Sequence, residues 1–146
     1  VLDIHACAER HRKAVLALLS DCGLPAAGLG DHWHTTWVAV SKSGDVVGSV
    51  ALELHGSAAL LRALATRSDH RGSGLGTALY LHAIDRARAL GATSVALLTT
   101  TAEPFFGARG FAAVSRDALP AALKASAEFR GACPASAVAM FKALAP

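Results

Sequence analysis

Arg71-Gly72-Ser73-Gly74-Leu75-Gly76-Thr77 is the stretch that decides how this chain is read. A strand, Leu60 to Thr66, is expected to lead toward it, and an Ala/Leu-rich helix, Leu75 to Leu90, to follow it. Three glycines in five positions let the backbone lie against a ligand with no side chains covering its N–H groups. Those groups open a helix, where unpaired donors and the positive dipole end favour an anion. The loop therefore predicts a phosphorylated cofactor bound near the middle of the chain.

The spacing excludes two common phosphate loops. A P-loop needs G-x-x-x-x-G-K-[ST], whereas Gly76 stands four residues after Gly72 and no Lys follows either glycine suitably. A Rossmann fingerprint needs a third small residue where this chain has Thr77. It also needs an acid after the next strand. Here Ser94 to Leu98 runs into Thr99-Thr100-Thr101.

The pattern that fits is R/Q-x-x-G-x-G/A, carried by Arg71, Gly74 and Gly76. With the preceding strand, the following helix and the downstream Phe105-Phe106-Gly107-Ala108-Arg109-Gly110-Phe111, the chain closely resembles the GNAT (GCN5-related) N-acetyltransferases. The resemblance is best over Val46 to Phe111. It implies one α/β domain over residues 1–146, of mixed α+β character, with splayed middle strands in a mixed central sheet and helices on both faces. It further implies that Arg71, Gly72, Ser73, Gly74, Leu75, Gly76 and Thr77 hold the pyrophosphate of acetyl-CoA. Leu64, Ala65 and Thr66 would offer backbone groups to pantetheine and the acetyl carbonyl, and Phe105 and Phe106 would also contact the cosubstrate. A homodimer is a further expectation.

Several stretches resemble, more narrowly, the GNAT branch found in arsenic-resistance operons. They are Cys22-Gly23-Leu24-Pro25, Leu52-Glu53-Leu54-His55-Gly56, Leu60-Leu61-Arg62-Ala63-Leu64, Leu98-Thr99-Thr100-Thr101-Ala102-Glu103 and Cys133-Pro134-Ala135-Ser136-Ala137-Val138. That branch implies acetylation of a toxic amino-acid-like compound, arsinothricin being the obvious candidate and phosphinothricin its phosphorus counterpart. Both compounds belong at least as clearly to a sister branch.

Composition narrows the partners. The 146 residues are one domain's worth, and 53% are hydrophobic, with Ala supplying much of that share. No run approaches ~20 uninterrupted apolar residues, so no membrane span is expected. Val1-Leu2-Asp3-Ile4-His5 lacks a signal-peptide pattern, which predicts a cytoplasmic protein. The odd set Cys7, Cys22 and Cys133, without C-x-x-C spacing, argues against a disulfide frame and a zinc site. Net charge is +3 with scattered basic residues, and one Tyr and two Trp are a poor platform for nucleic acid. Mild basicity suits polyanionic coenzyme A.

The remaining elements read as follows. Leu2 to His5 is a short strand, and Ala8 to Cys22 is a helix with Val15, Leu18, Leu19 and Cys22 on one face. Ala26 to His34 is a loop or a degenerate helix. Thr36 to Ser41 and Val46 to His55 form a hairpin around Ser43-Gly44-Asp45. Ser94 to Thr99 is a buried strand, and a short helix tolerates Pro104 in its first turn. Phe111 to Ser115 is a strand, Asp117 to Ala127 a helix despite Pro120, and Ala137 to Leu144 the last strand.

Amide formation needs an ammonium deprotonated, an oxyanion stabilised and a thiolate released. A backbone N–H aimed at the oxyanion contributes ~10²–10³ in rate. Glu53 is the first choice for general base. It stands in the apolar stretch Val50-Ala51-Leu52-Glu53-Leu54, where desolvation is expected to raise its pKa. His55 is the rival, with an ordinary pKa of ~6.5. Many relatives carry a glutamate near the position of Leu60, and a tyrosine acid where this chain has Phe106. The loss of that acid is tolerable, because a thiol of pKa ~8.5 leaves readily. Tyr80, the only tyrosine, reads as core.

Arg62 is the candidate for gripping a substrate carboxylate, its fork of N–H groups being suited to bidentate contact. A structural ion pair with Glu53 is the equal alternative. Thr99, Thr100 and Thr101 are expected to line the pocket or to cap a helix. His32 and His34 have metal-ligand spacing without a third ligand nearby, so no metal is expected. The leading function is acetyl transfer to a small-molecule primary amine. A CoA-sensing module without turnover, suggested by Phe106, and a peptide or protein acetyltransferase with an open groove are the alternatives.

Overall fold

The computed structural model describes residues 3–145. Seven strands form one mixed sheet: β1 (Asp3–Ala6), β2 (Thr36–Val40), β3 (Val46–His55), β4 (Ala58–Thr66), β5 (Ser94–Thr99), β6 (Ala112–Val114) and β7 (Val138–Ala143). Their spatial order is β1-β2-β3-β4-β5-β7-β6. The β4–β5 pair is parallel and its neighbours are antiparallel. A parallel pair needs a crossover. Helix α2 (Leu75–Ala89) supplies it.

Alternation along β3 shows how the layers are made. Val50 and Leu52 enter the core under α2, together with Leu79, Tyr80, Ala83 and Ile84. Ala51 points the other way, into a second core with Val15, Leu18 and Leu19 of α1 (Arg12–Asp21). A third cluster on β4, β5 and β7 packs Leu60, Ala96 and Ala139 against Leu119 and Leu123. The expected mixed sheet with helices on both faces is the observed architecture.

The elements follow the sequence reading with local differences. Leu2 lies outside the described residues, and β1 covers the rest of its expected strand. A 3₁₀ turn, Glu9–His11, leads into α1. The Ala26–His34 stretch contributes to a 3₁₀ segment, Leu29–Thr35, broken at His32. The short helix α3 spans Glu103–Gly107, with Pro104 in its first turn.

The helix expected over Asp117–Ala127 does not form. Two 3₁₀ turns, Arg116–Ala118 and Ala121–Ala125, stand there instead. Pro120 has no N–H to donate, and it pushes Leu119 into an extended conformation (φ −77°, ψ 153°). A π-turn over Glu128–Ala132 follows and delivers the chain to Cys133 and β7.

Candidate active site

The parallel ladder between β4 and β5 stops early. It pairs Ala58 with Ser94, Ala59 with Val95 and Leu60 with Ala96. Beyond those residues the strands diverge, and Leu61–Thr66 face Leu97–Thr101 across a cleft of about 340 Å³. A bulge accompanies the divergence. Ser49 opposes Ala65 while Ala51 opposes Arg62, so β4 carries one residue more than β3. The extra residue sits at Ala63, whose φ of +58° is left-handed. Ser49 Oγ donates to the Ala63 carbonyl at 2.8 Å and fixes the kink. Alanine gives no sequence signal for that conformation, so the bulge was invisible beforehand.

The Gly-rich loop opens beside this cleft. Gly72 (φ +79°) and Gly74 (φ +86°) hold left-handed conformations that disfavour any side chain. A Cβ at either position would meet nothing within 4 Å, so their near side is open. Gly74 is the N-cap of α2, and no side chain caps that helix. The first N–H groups of α2 thus have no side-chain acceptor, and helix starts of this kind favour an anion. Arg71 lines the cleft, with Nη2 donating to Cys22 Sγ at 3.6 Å. Thr77 Oγ1 accepts from Arg109 Nη2 at 2.8 Å. Arg109 also lies 3.6 Å above the Phe105 ring, tying α2 to α3.

Among the expected cosubstrate contacts, Leu64, Ala65, Thr66, Arg71 and Phe106 line the cleft. Gly72, Ser73, Gly74, Leu75, Gly76 and Thr77 do not, the chain leaving the cleft after Arg71. Neither does Phe105, which is engaged by Arg109 and by the edge of Tyr80. Tyr80 is core, as read, with its hydroxyl buried and unpartnered among the described residues. Thr99, Thr100 and Thr101 line the cleft too, and Thr99 Oγ1 also accepts from Ala102 N at 2.9 Å.

A buried charged seam runs along the face of the sheet opposite α2. The Arg62 side chain is fully buried. Its Nη1 donates to Glu53 Oε2 at 2.8 Å and to the Ala27 carbonyl at 2.9 Å. Its Nη2 donates to the Pro25 carbonyl at 3.0 Å. Its Nε lies 3.4 Å from Glu128 Oε2. The Glu53 pairing considered from the sequence therefore forms, and most of the guanidinium fork is committed within the chain.

Two expectations about Glu53 need correction. Glu53 is 1% exposed, yet it does not line the cleft, and neither does His55. Its pKa is lowered, not raised. Burial pushes the carboxyl up, but hydrogen bonds from Arg62, His55 and Ser126, with the nearby His32, outweigh it. The ionised carboxylate only accepts, so His55 Nε2 donates to Glu53 Oε1, at 2.8 Å. His32 Nε2 stands 3.5 Å from the same oxygen. His55 is thus a partner of Glu53 rather than a surface residue.

Glu128 was missed by the sequence reading. It is 4% exposed, lines the cleft, and keeps Oε1 without a hydrogen-bond partner among the described residues. Burial is the main cause that raises its pKa to about 7, with Glu53 adding to the rise and Arg62 opposing it. Cys133 lies beside it, its thiol pushed up to about 11 by burial and by Glu128. Nothing in the local sequence Ala127-Glu128-Phe129 marked this position, because Leu119-Pro120 and the π-turn bring it to the cleft. Among the described residues no group of three or more His, Cys, Asp or Glu is placed to hold a metal ion.

A family model described as the Acetyltransferase (GNAT) family matches residues 4–113. The chain belongs to this family. Solved structures agree on the GNAT fold. The N-acetylglutamate synthase of Neisseria gonorrhoeae, complexed with coenzyme A and N-acetyl-glutamate, superposes with a TM-score of 0.85 at 22% identity. That match covers 100% of this chain and 36% of the synthase, so the chain spans about a third of that relative's length. A Mycobacterium tuberculosis protein in complex with CoA gives a TM-score of 0.80 at 20% identity, covering 98% of this chain and 99% of that one. An acetyltransferase of the GNAT family from Staphylococcus aureus gives 0.80 at 14% identity, covering 99% and 100%. No curated protein matches the sequence. No helix among the described residues is long and apolar enough to cross a membrane.

Proposed function

We propose that this GNAT protein transfers the acetyl group of acetyl-CoA directly to the primary amine of a small, amino-acid-like molecule. The observation that carries the reading is the β4–β5 cleft, lined as far as Arg71, from which the chain runs on through Gly72 and Gly74 into the uncapped N-terminus of α2. That arrangement offers backbone donors to a pyrophosphate at one end and a narrow, partly polar chamber at the other. Leu64, Ala65 and Thr66 would hold the pantetheine arm and polarise the acetyl carbonyl. The Gly72–Thr77 backbone would hold the pyrophosphate, and Thr99 and Thr101 would face the acceptor.

An amino-acid acceptor is supported by the cleft's dimensions and by the synthase neighbour crystallised with N-acetyl-glutamate. The stretches resembling the arsenic-resistance branch favour arsinothricin or phosphinothricin within that class. Arg62 is not free to grip an acceptor carboxylate, since its fork is held by Glu53, Ala27 and Pro25, so the acidic-acceptor reading rests on the resemblance and on the synthase neighbour. Incubating the protein with acetyl-CoA and a panel of phosphinothricin, L-glutamate, neutral amino acids and a peptide, with mass detection of products, tests the reading. Acetylated acidic acceptors are expected. Acetylation of the peptide alone overturns it.

A CoA-binding module without turnover is the second reading. It is favoured by Phe106, which lines the cleft with no proton to give a leaving thiolate. Tight CoA binding with no product from any amine in the panel selects it.

A further inference from the structure

We propose that Glu128 receives the acceptor's ammonium group in the cleft and takes its proton as the amine becomes a nucleophile. The inference rests on the acetyltransferase reading above and assigns its general base. Four observations lead to it. Glu128 is the only carboxylate among the described residues that line the cleft, and no histidine or lysine lines it. Its Oε1 is buried without a hydrogen-bond partner, a costly state that an ammonium would relieve. Glu53 cannot serve as freely, because His55 and Arg62 already occupy its oxygens.

The fourth observation is charge balance. Glu53, Arg62 and Glu128 form one buried set, with Arg62 between two carboxylates. With both carboxylates ionised, the set carries one uncompensated negative charge. A cation entering the chamber neutralises it, and so does a proton on Glu128. The same carboxylate is therefore suited first to hold an ammonium and then to keep its proton. The groups that set its titration are Arg62, Glu53 and the Cys133 thiol. Burial raises its pKa most, Glu53 adds to the rise, and Arg62 and Cys133 oppose it, which together place Glu128 at about 7, where a general base works best.

The step balances as follows. Glu128 Oε1 takes one proton from the ammonium, and the freed nitrogen pair forms the N–C bond to the acetyl carbon. The C–S bond breaks with its electron pair going to sulfur. The nitrogen's second surplus proton neutralises the departing thiolate, and the proton on Glu128 passes to solvent. The net products are the amide, the thiol and one proton. The backbone holds Glu128 for this role: Ser126 Oγ accepts from Glu128 N at 3.2 Å, and Cys133 N donates to the Glu128 carbonyl at 3.4 Å.

The test compares parent, Glu128→Gln and Glu128→Asp with phosphinothricin and L-glutamate as acceptors across pH 5.5 to 9. CoA affinity by calorimetry and the thermal melt are recorded for each. In the parent, kcat/KM should climb as pH passes about 7. Glu128→Gln should lose roughly 10²-fold or more in kcat at neutral pH and lose that limb, with CoA affinity kept. Glu128→Asp should recover part of the rate and keep the limb. Should Glu128→Gln fail to fold, the Asp variant still decides, because parent-level kcat with a retracted carboxylate overturns the assignment. Glu128→Gln turning over at the parent rate with the parent pH profile overturns it while leaving the acetyltransferase reading intact. A parent that acetylates no amine removes both.

Discussion

The two ends of the cleft are built by opposite means. At the α2 end, the proposed anion cradle is the backbone of one short stretch, Gly72 to Thr77, with left-handed glycines and an uncapped helix start. At the Arg62 end, the lining side chains Arg62 and Glu128 are held by a seam that draws on Pro25 and, behind the cleft, on Ala27 and Glu53, across much of the chain. The first end depends on the torsion angles of a few neighbouring residues. The second depends on a closed set of buried charges, so removing any one member leaves another without its counterpart.

Arg62→Ala breaks the second end hardest. It leaves Glu53 and Glu128 buried together without a cation, a loss of about 3–5 kcal/mol in urea unfolding at neutral pH. The penalty should shrink in acid, where protonation removes the like charges. Stability equal to the parent's at pH 7 would show that water reaches both carboxylates. Gly74→Val tests the first end. It forces a branched residue to φ +86°. The strain and the blocked approach should weaken CoA binding about 10- to 100-fold in calorimetry, through about 1–3 kcal/mol. Parent-like affinity in a folded variant would remove the loop from the cosubstrate site.

Glu53→Gln sharpens the distinction between the two glutamates. It keeps the shape but gives up the charged partner of Arg62, and should cost about 1–3 kcal/mol of stability. The acid limb of turnover should persist, since the proposed assignment gives that limb to Glu128. The glutamates should also be opposed in their pH linkage. The Glu53 carboxyl is lowered in the folded state, so its contribution is present above the ordinary carboxylate range and is lost as pH falls through its folded value. Glu128 is raised from 4.5 to about 7, so its contribution is present below 4.5 and is lost as pH rises to about 7. Urea titrations of parent and Glu128→Gln across that window should show the parent falling relative to the variant. The smallest effect is at Arg109. Arg109→Lys keeps the charge but loses the fork that spans Thr77 and the Phe105 carbonyl. A loss of about 1 kcal/mol in thermal stability is expected, with little change in kcat.

What was legible beforehand follows the same division. The loop, the strand before it and the helix after it are local, and their residues carried the fold and the cosubstrate class. Periodicity placed β3, β5 and α2 within a residue or so. It failed over Asp117–Ala127, where helical spacing of apolar residues was outweighed by a missing N–H at Pro120. Glu53 reads from the sequence as a general base and Arg62 as a substrate grip with an ion pair to Glu53 as the equal alternative, and it is the ion pair that forms. The sequence reading misjudged the direction of the Glu53 pKa, because burial was weighed without the donors that His55, Arg62 and Ser126 bring.

By itself the sequence determined the glycine-rich turn and the uncapped helix start that follows it, since φ preferences and helix-end donors belong to residues close together in the chain. It also determined the alternating faces of the strands. Only the tertiary structure decided which carboxylate faces the cleft. Glu53 and Glu128 are the same residue type in apolar surroundings, and their difference comes from what long-range folding sets beside them. Glu53 receives donors from Arg62, His55 and Ser126 and is held ionised, while Glu128 has a more distant guanidinium and the Cys133 thiol beside it and keeps Oε1 bare. Hydrogen-bond geometry at that range is fixed by chain segments separated by dozens of residues, and no local pattern encodes it.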